Sequence, residues 1–307
     1  MNGAIKDDLK ANVYIDHKGD KIGRVTSYLC SIFKISSLSD PALWMLRQFT
    51  CLPPEFHEFD LLQELLSPAE HDKEDIFSET IEELSGKGWL LKNSARDSYK
   101  MHRIIGEVIK LRQTISFTEM EPFINNISEK LYLDETSENP VDNFPWIPFG
   151  KSVLDLFPNS TEPPIVKLQN NLAIVLQNLG DYEGAKNLLQ KAMASDEKNF
   201  GNDHPTTAVR YSNLALVLQD LGDYEGAKNL LQKAMASDEK NFGNDHPSTA
   251  RSYSNLALVL EDLGDYEEAL KLSEKSLTIL RKVLPEGHPN IKTVTNNYQS
   301  IKEKLTK

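Results

Sequence analysis

In the second half of the chain, apolar side chains fall on a helical rhythm, and the rhythm itself repeats. After Pro247, the residues Tyr253, Leu256, Ala257, Leu260 and Leu263 stand at i, i+3, i+4, i+7 and i+10, a single apolar stripe. Pro247 suits a helix start, where a missing N–H costs nothing. Gly264 closes that helix, because it tolerates the left-handed conformation at the cap. Asp265 caps a second helix whose stripe holds Tyr266, Ala269, Leu272, Leu277 and Leu280. The small Ala257 and Ala269 let two such helices approach closely. The segment Leu179–Pro205 recurs unchanged as Leu221–Pro247, 42 residues later, and a diverged third copy carries Gly264 and His288-Pro289. Twenty-seven consecutive identities exceed what packing demands. They indicate tandem duplication, so identity there does not mark function. A pair of helices this short cannot bury both faces alone, and stacking on neighbours supplies the rest of the core, in a right-handed superhelix. The stretch from Pro289 to Leu305 opens like a fourth unit and is expected to act as the capping helix.

The first half has a different pattern. Residues 22–36 and 40–51 read as helices, the second with Leu43, Leu46 and Phe49. Phe56–Leu66 reads as another, and Glu74–Lys87 as an amphipathic helix with Ile76, Phe77, Ile81 and Leu84, ended by Gly86 and Gly88. Trp89–Lys92 and Ser98–Met101 read as two short strands across the turn Asn93-Ser94-Ala95-Arg96. A helix with Ile104, Ile105, Val108 and Ile109 follows. Phe117–Leu133 is expected to be helical and Asp134–Phe149, rich in Pro, Asn and acids, to be loop. Val153, Leu154 and Phe157 suggest a short helix packed on the first repeat, and residues 158–164 mark a boundary.

The pattern N-L-A-x-x-L-x-x-L-G-D-Y-x-x-A resembles the tetratricopeptide repeat, and the 42-residue period with its G-N-D-H-P linker is similar to the long subclass of kinesin light chains. The resemblance covers about Val166 to Leu305, in three units. In each first helix the second stripe is expected to face a concave groove. The stripes are Lys167, Asn170, Asn171, Ile174 and Gln177; then Val209, Ser212, Asn213, Leu216 and Gln219; then Arg251, Ser254, Asn255, Leu258 and Glu261; and on the last helix Thr293, Asn296 and Asn297. An asparagine thus recurs at 171, 213, 255 and 297. An amide can donate to and accept from a peptide bond at once. The resemblance implies that these four contact a bound peptide backbone, with Leu216 and Leu258 as shallow apolar seats. The alternative role is structural: a recurring amide can bond a neighbouring helix and set the superhelical pitch. Arg251 and Lys167 are the strong cations of this face, suited to a ligand carboxylate or simply solvated. His204, His246 and His288 recur beside the linker prolines, where capping or loop packing is expected rather than metal binding.

The stretch FSETIEELSGKGWLLKNSARDSYKMHRIIGEVI resembles the winged-helix segment of STAND-class, NB-ARC-type NTPases, over roughly residues 25–115. In that class a Met-His-Asp motif sets a histidine against the nucleotide; this chain has Met101-His102-Arg103. No P-loop precedes the module. Its one lookalike, Gly150-Lys151-Ser152, has Pro145 where a phosphate loop needs glycine. The resemblance implies the regulatory C-terminal part of a signalling ATPase whose NTPase domain is missing or supplied in trans.

Composition narrows the picture. Lys and Arg number 34 against 46 Asp and Glu, a formal charge of −12, of which −10 falls in residues 1–164. The helix that a winged helix would lay in a DNA groove carries Asp75, Glu79, Glu82 and Glu83 against Lys87, so nucleic acid is not an expected partner. A 39% hydrophobic fraction is low for one globule but ample for a helical array. No apolar run reaches membrane-spanning length and the N-terminus has no signal-peptide core, so a cytoplasmic protein is expected. Cys30 and Cys51 are too few for a disulfide framework and sit among apolar residues. Neither H-E-x-x-H nor G-x-S-x-G occurs, and Glu267 and Glu268 belong to an exposed helix face, so no enzyme, cofactor or metal is expected. The expected fold is mainly α: a winged-helix-like module with one β-hairpin over 1–115, a helical connector over 116–164, and a tetratricopeptide α-solenoid of three repeats plus a cap over 165–307. The expected function is a noncatalytic scaffold binding a protein or peptide segment in the groove.

Overall fold

A computed structural model of the chain describes residues 35–66, 74–133 and 139–306, and divides it into two compact units, Met1–Phe123 and Ile124–Lys307. Most of the reading of residues 22–36, together with Cys30, lies outside the described residues.

In the first unit a short 3-10 turn, Ile35–Ser37, precedes helix α1, Asp40–Phe49. Ser39 caps α1 by accepting from the Ala42 N–H. Strand β1, His57–Glu58, then runs into α2, Phe59–Leu66; α3 is Glu74–Gly86; strands β2, Leu90–Asn93, and β3, Ser98–Met101, follow; and α4 is Arg103–Arg112. The sheet is antiparallel in the order β1-β3-β2, with His57 opposite Tyr99 and Lys92 opposite Tyr99 on the other side. The expected hairpin is present, but a third strand pairs with it where the sequence reads as the first turn of a helix. The reason is local: His57 is buried, its Nε2 lies 2.9 Å from the Pro53 carbonyl, and burial lowers its pKa. That tie draws 57–58 out straight before the apolar period of Phe59, Leu62, Leu65 and Leu66 takes over. The core gathers Met45, Leu46, Leu62, Phe77, Ile81, Leu84, Tyr99, Ile105 and Ile109. Cys51 belongs to this core beside the Met120 sulfur, and burial pushes its thiol up to about 12, the state of an inert thiol.

Helix α5, Phe117–Lys130, is joined to the first unit at its start by Arg47, whose guanidinium pairs with Glu119 at 2.8 Å. In the second unit, residues 140–149 depart from the expected loop: Pro140–Trp146 is a 3-10 segment that runs directly into α6, Ile147–Leu156. Asn139 starts it by accepting from the Val141 N–H, and a cap of that kind is what the Asn-Pro pair encodes. Helix pairs then alternate: α7 Pro163–Leu179 with α8 Tyr182–Phe200, α9 Pro205–Asp220 with α10 Tyr224–Phe242, α11 Pro247–Asp262 with α12 Tyr266–Val283, and the last helix α13, Pro289–Leu305.

Each signal in the repeat has a physical counterpart. Gly180, Gly222 and Gly264 take φ of 86°, 80° and 82°, the left-handed turn between paired helices. Asp181, Asp223 and Asp265 cap the second helices. His204, His246 and His288 cap the first helices through Nδ1, accepting from Thr206, Ser248 and Asn290 N–H groups. Phe200 and Phe242 stack on the first two of these rings at 4.8 and 4.7 Å. Tyr211 and Tyr253, fully buried in the stripes, donate to Glu197 and Glu239 of the preceding helix at 2.7 and 2.6 Å. Burial and the carboxylate together push the Tyr253 phenol up to about 12.

The two identical copies meet different neighbours at one point. Asp196 is 4% exposed and pairs with Arg210 at 2.9 Å, whereas its duplicate Asp238 accepts from the Ser252 hydroxyl at 2.5 Å. Replacing Arg210 with alanine should cost about 3–5 kcal/mol, because it strands a buried carboxylate. Arg210→Ser copies the neighbouring solution and should recover ~1 kcal/mol or more. Urea unfolding of the two variants measures the difference; equal losses would mean that Asp196 does not depend on its partner.

Candidate peptide-binding groove

The first helices α7, α9, α11 and α13 form one wall, and polar bonds between residues 43 apart tie them in series. Gln177 donates to Asp220 at 2.6 Å and Gln219 to Asp262 at 2.5 Å. At the last step the chemistry inverts, and Glu261 takes Lys304 at 2.9 Å and the Ser300 hydroxyl at 3.0 Å. The C-terminal halves of these helices are thereby fixed at a constant offset, which holds the wall's pitch.

The asparagines divide into two groups. Asn171 is buried, and its amide donates to the Ser128 carbonyl at 2.8 Å and to the Ser128 hydroxyl at 3.3 Å. Asn170, also buried, donates to the Asn171 side-chain oxygen at 3.3 Å, and Asn213 donates to Asn170 at 2.8 Å. A relay of amides therefore runs from Asn213 to Ser128, and the first-repeat pair is engaged within the chain. Beyond it the face opens. Asn255 and Asn297 are half-buried and make no side-chain hydrogen bond among the described residues. Ser212, Leu216, Ser254 and Leu258 are half-buried on the same stripes, while Lys167, Arg251 and Asn296 are exposed. Neither Lys167 nor Arg251 forms an ion pair among the described residues. Gln219 belongs to the inter-helix series rather than to the open face. The open group is thus Asn213 through its oxygen, Leu216, Arg251, Ser254, Asn255 and Leu258. It offers amide and hydroxyl groups to a backbone, two aliphatic seats and one cation.

Other candidate chemistry takes structural positions. Gly150-Lys151-Ser152 lies inside α6 with Gly150 packed against Leu131 and Leu172, so its backbone amides do not form a phosphate loop. His102 caps α4, its Nδ1 accepting from the Ile104 N–H at 3.2 Å. Among the described residues no group of three or more His, Cys, Asp or Glu is arranged to hold a metal ion, and no helix is long and apolar enough to cross a membrane. Asn171 takes the structural alternative of its two expected roles, with a partner, Ser128, that the repeat pattern alone did not name. The available signal was Ser128 lying 43 residues before it, the same offset that joins Asn170 to Asn213.

Residues 165–240 and 210–282 match the tetratricopeptide repeat family model. This part of the chain is built of tetratricopeptide repeats. The nearly identical TPR-like repeats of a kinesin light chain from Podosopora anserina share the fold, with 22% identity, a TM-score of 0.51, and coverage of 60% of this chain and 88% of that one. BtubC (BKLC) from P. vanneervenii is similar at 17% identity and a TM-score of 0.50, over 62% of this chain and 75% of that one. No curated protein matches the chain.

The division of the asparagines has a measurable consequence. Asn171→Ala should cost about 1–3 kcal/mol, since it leaves buried partners unpaired. Asn255→Ala should stay within ~0.5 kcal/mol, as for a partly open site whose side chain has no fixed partner. Thermal unfolding of the two variants compares them; a large loss for Asn255→Ala would give that amide a structural role.

Proposed function

We propose that the repeats are a protein-interaction scaffold that holds an extended partner segment against Asn213, Leu216, Arg251, Ser254, Asn255 and Leu258. The observation that carries this reading is the contrast along the wall. Amides are consumed by neighbours up to Asn213, whereas Asn255 and Arg251 stand without side-chain partners among the described residues, beside the half-buried Leu216 and Leu258. A backbone amide and carbonyl satisfy an asparagine on both sides, and a carboxylate satisfies Arg251. The role does not require catalysis.

The test is a displayed library of random peptides selected on the full chain and on the Asn213→Ala, Arg251→Ala, Asn255→Ala triple variant. Three lost contacts of ~0.5–1.5 kcal/mol each predict a drop of tenfold or more in the affinity of the selected peptides. Peptides that bind both proteins equally would remove the groove from consideration.

A second reading is favoured by the topology of the first unit. Its element order, helix, strand, helix, helix, strand, strand, and its strand order β1-β3-β2 fit the winged-helix reading, and in this way support the regulatory part of a STAND-type ATPase with the NTPase domain missing or supplied in trans. Packing against protein suits α3 better than packing against DNA. Asp75, Glu79 and Glu82 are exposed along it, Lys87 is held by Glu83 at 2.5 Å, and Lys92 is paired with Glu82. Titration of the full chain with a fluorescent duplex at low salt should give no saturable binding. Binding that weakens steeply as salt rises would assign the module to DNA.

A further inference from the structure

The 42-residue register does not begin at Pro163. One period before the aspartate caps Asp181, Asp223 and Asp265 stands Asn139, which caps Pro140–Trp146 from the same register position; its oxygen accepts from the N–H two residues on, where the aspartates accept from the N–H three residues on. One period before Tyr182, the first residue of α8, stands Pro140, from which 3-10 segment and α6 together run to Leu156. The linker carbonyl repeats as well. The Asp203 oxygen takes the Ser237 hydroxyl and the Asn241 amide at 2.9 and 2.7 Å, and one period earlier the Thr161 oxygen takes Ser195 and Asn199 at 3.5 and 3.3 Å. The bond from Asn171 to Ser128 is the bond from Asn213 to Asn170 moved back by one period.

The core repeats too. Ile124 is buried as Val166, Ala208 and Ala250 are, and Ile147 as Leu189 and Leu231 are. One pair of positions departs and compensates. The regular repeats place small buried residues at two sites: Ala173 with Ala192, Ala215 with Ala234, and Ala257 with Ser276. One period earlier these sites hold Leu131 and Gly150, and a Cβ on Gly150 would lie 2.9 Å from a Leu131 methyl. The glycine vacates the volume that the leucine occupies. This exchange, together with the 3-10 start of the second helix, removes the repeat's usual sequence signs.

We propose that residues 121–162 are a degenerate fourth repeat at the head of the array, and that Glu129 and Tyr132 form there a seat for an arginine or lysine side chain of the bound segment. The proposal rests on the groove reading above. Glu129 occupies the register position of Asn171, Asn213 and Asn255, and Tyr132 that of Ile174, Leu216 and Leu258. Both are exposed, Tyr132 at 57%, and Glu129 has no ion pair among the described residues. The Asn143 amide holds this corner by donating to the Lys130 and Tyr132 carbonyls at 2.7 and 3.3 Å. The Tyr132 N–H donates to the Glu129 carbonyl at 3.0 Å, which sets both residues on one turn of the chain. A carboxylate and an aromatic ring on one turn suit a cation, which gains a charge-assisted hydrogen bond from one and a quadrupole attraction from the other. The head thus asks for a basic side chain, whereas Arg251, two repeats beyond α7's Lys167 register, asks for an acidic one.

Two measurements on the full chain test this. For the repeat, Leu131→Ala and Gly150→Ala are made singly and together. Each single variant should lower the melting temperature. The double variant, which rebuilds the Ala–Ala pairing of the other repeats, should melt well above the sum of the two losses; strictly additive losses would overturn the assignment. For the seat, peptides selected from the random library should share an Arg or Lys at one position. They should bind Glu129→Gln about tenfold more weakly, and selection on Glu129→Lys should replace that residue with Asp or Glu. Peptides that lose affinity for the Asn213, Arg251, Asn255 triple variant but bind Glu129→Gln unchanged would leave the groove standing and overturn the seat. Peptides indifferent to both sets, or no enriched peptide, would overturn both.

Discussion

No helix pair in the second unit closes its own core, and the rest of the structure depends on that shortfall. Each first helix buries one stripe against its partner and another against the preceding second helix, as Tyr211 and Ala208 do with Ala234 and with the Glu197 carboxylate. A repeat is therefore stable only in company. The neighbour must also arrive at a fixed angle and height. Apolar contacts are tolerant of sliding, and the specification comes from polar bonds between residues 43 apart, which leave little freedom in how one first helix lies on the next.

This arrangement determines which groups are free to bind something else. The amides at the head of the wall are spent on pitch, and those further along are not. The same residue type at the same register position is a strut at 171 and an open group at 255, because Ser128 offers Asn171 a carbonyl at the right height whereas Asn255 has no such partner among the described residues. The duplicated aspartates behave in parallel: Asp196 meets an arginine and Asp238 a serine, although the helices carrying them are identical. Sequence identity between repeats thus does not carry identity of environment.

Much of the array was legible before any coordinates. The stripe of Tyr253, Leu256, Ala257 and Leu260, the glycine turns and the aspartate caps are all local signals whose physics does not need the neighbours. What was hidden depends on pairs of residues far apart in sequence. The strand at His57–Glu58 follows from a buried ring tied to Pro53, which no periodicity announces. The helical nature of 140–149 was obscured by its prolines and acids, although Val153 and Leu154 announced the helix they end, and its kinship with the repeats by the Leu131 and Gly150 exchange, in which each residue looks wrong until the other is seen. The engagement of Asn171 was likewise invisible while its partner segment was read only as a connector.

The identity of Leu179–Pro205 with Leu221–Pro247 has a consequence at the level of the gene. The surface that α8 presents to α9 is the surface that α10 presents to α11, down to the same tyrosine, carboxylate and histidine partners. Loss of one period between the copies would bring Asp196 against Ser252, a junction already present in the molecule as Asp238 against Ser252. Gain of a period would repeat an existing junction in the same way. Recombination between the copies can therefore lengthen or shorten the wall in whole steps without passing through a chain that fails to fold, and the reach of the scaffold becomes a heritable quantity that selection can adjust separately from its affinity.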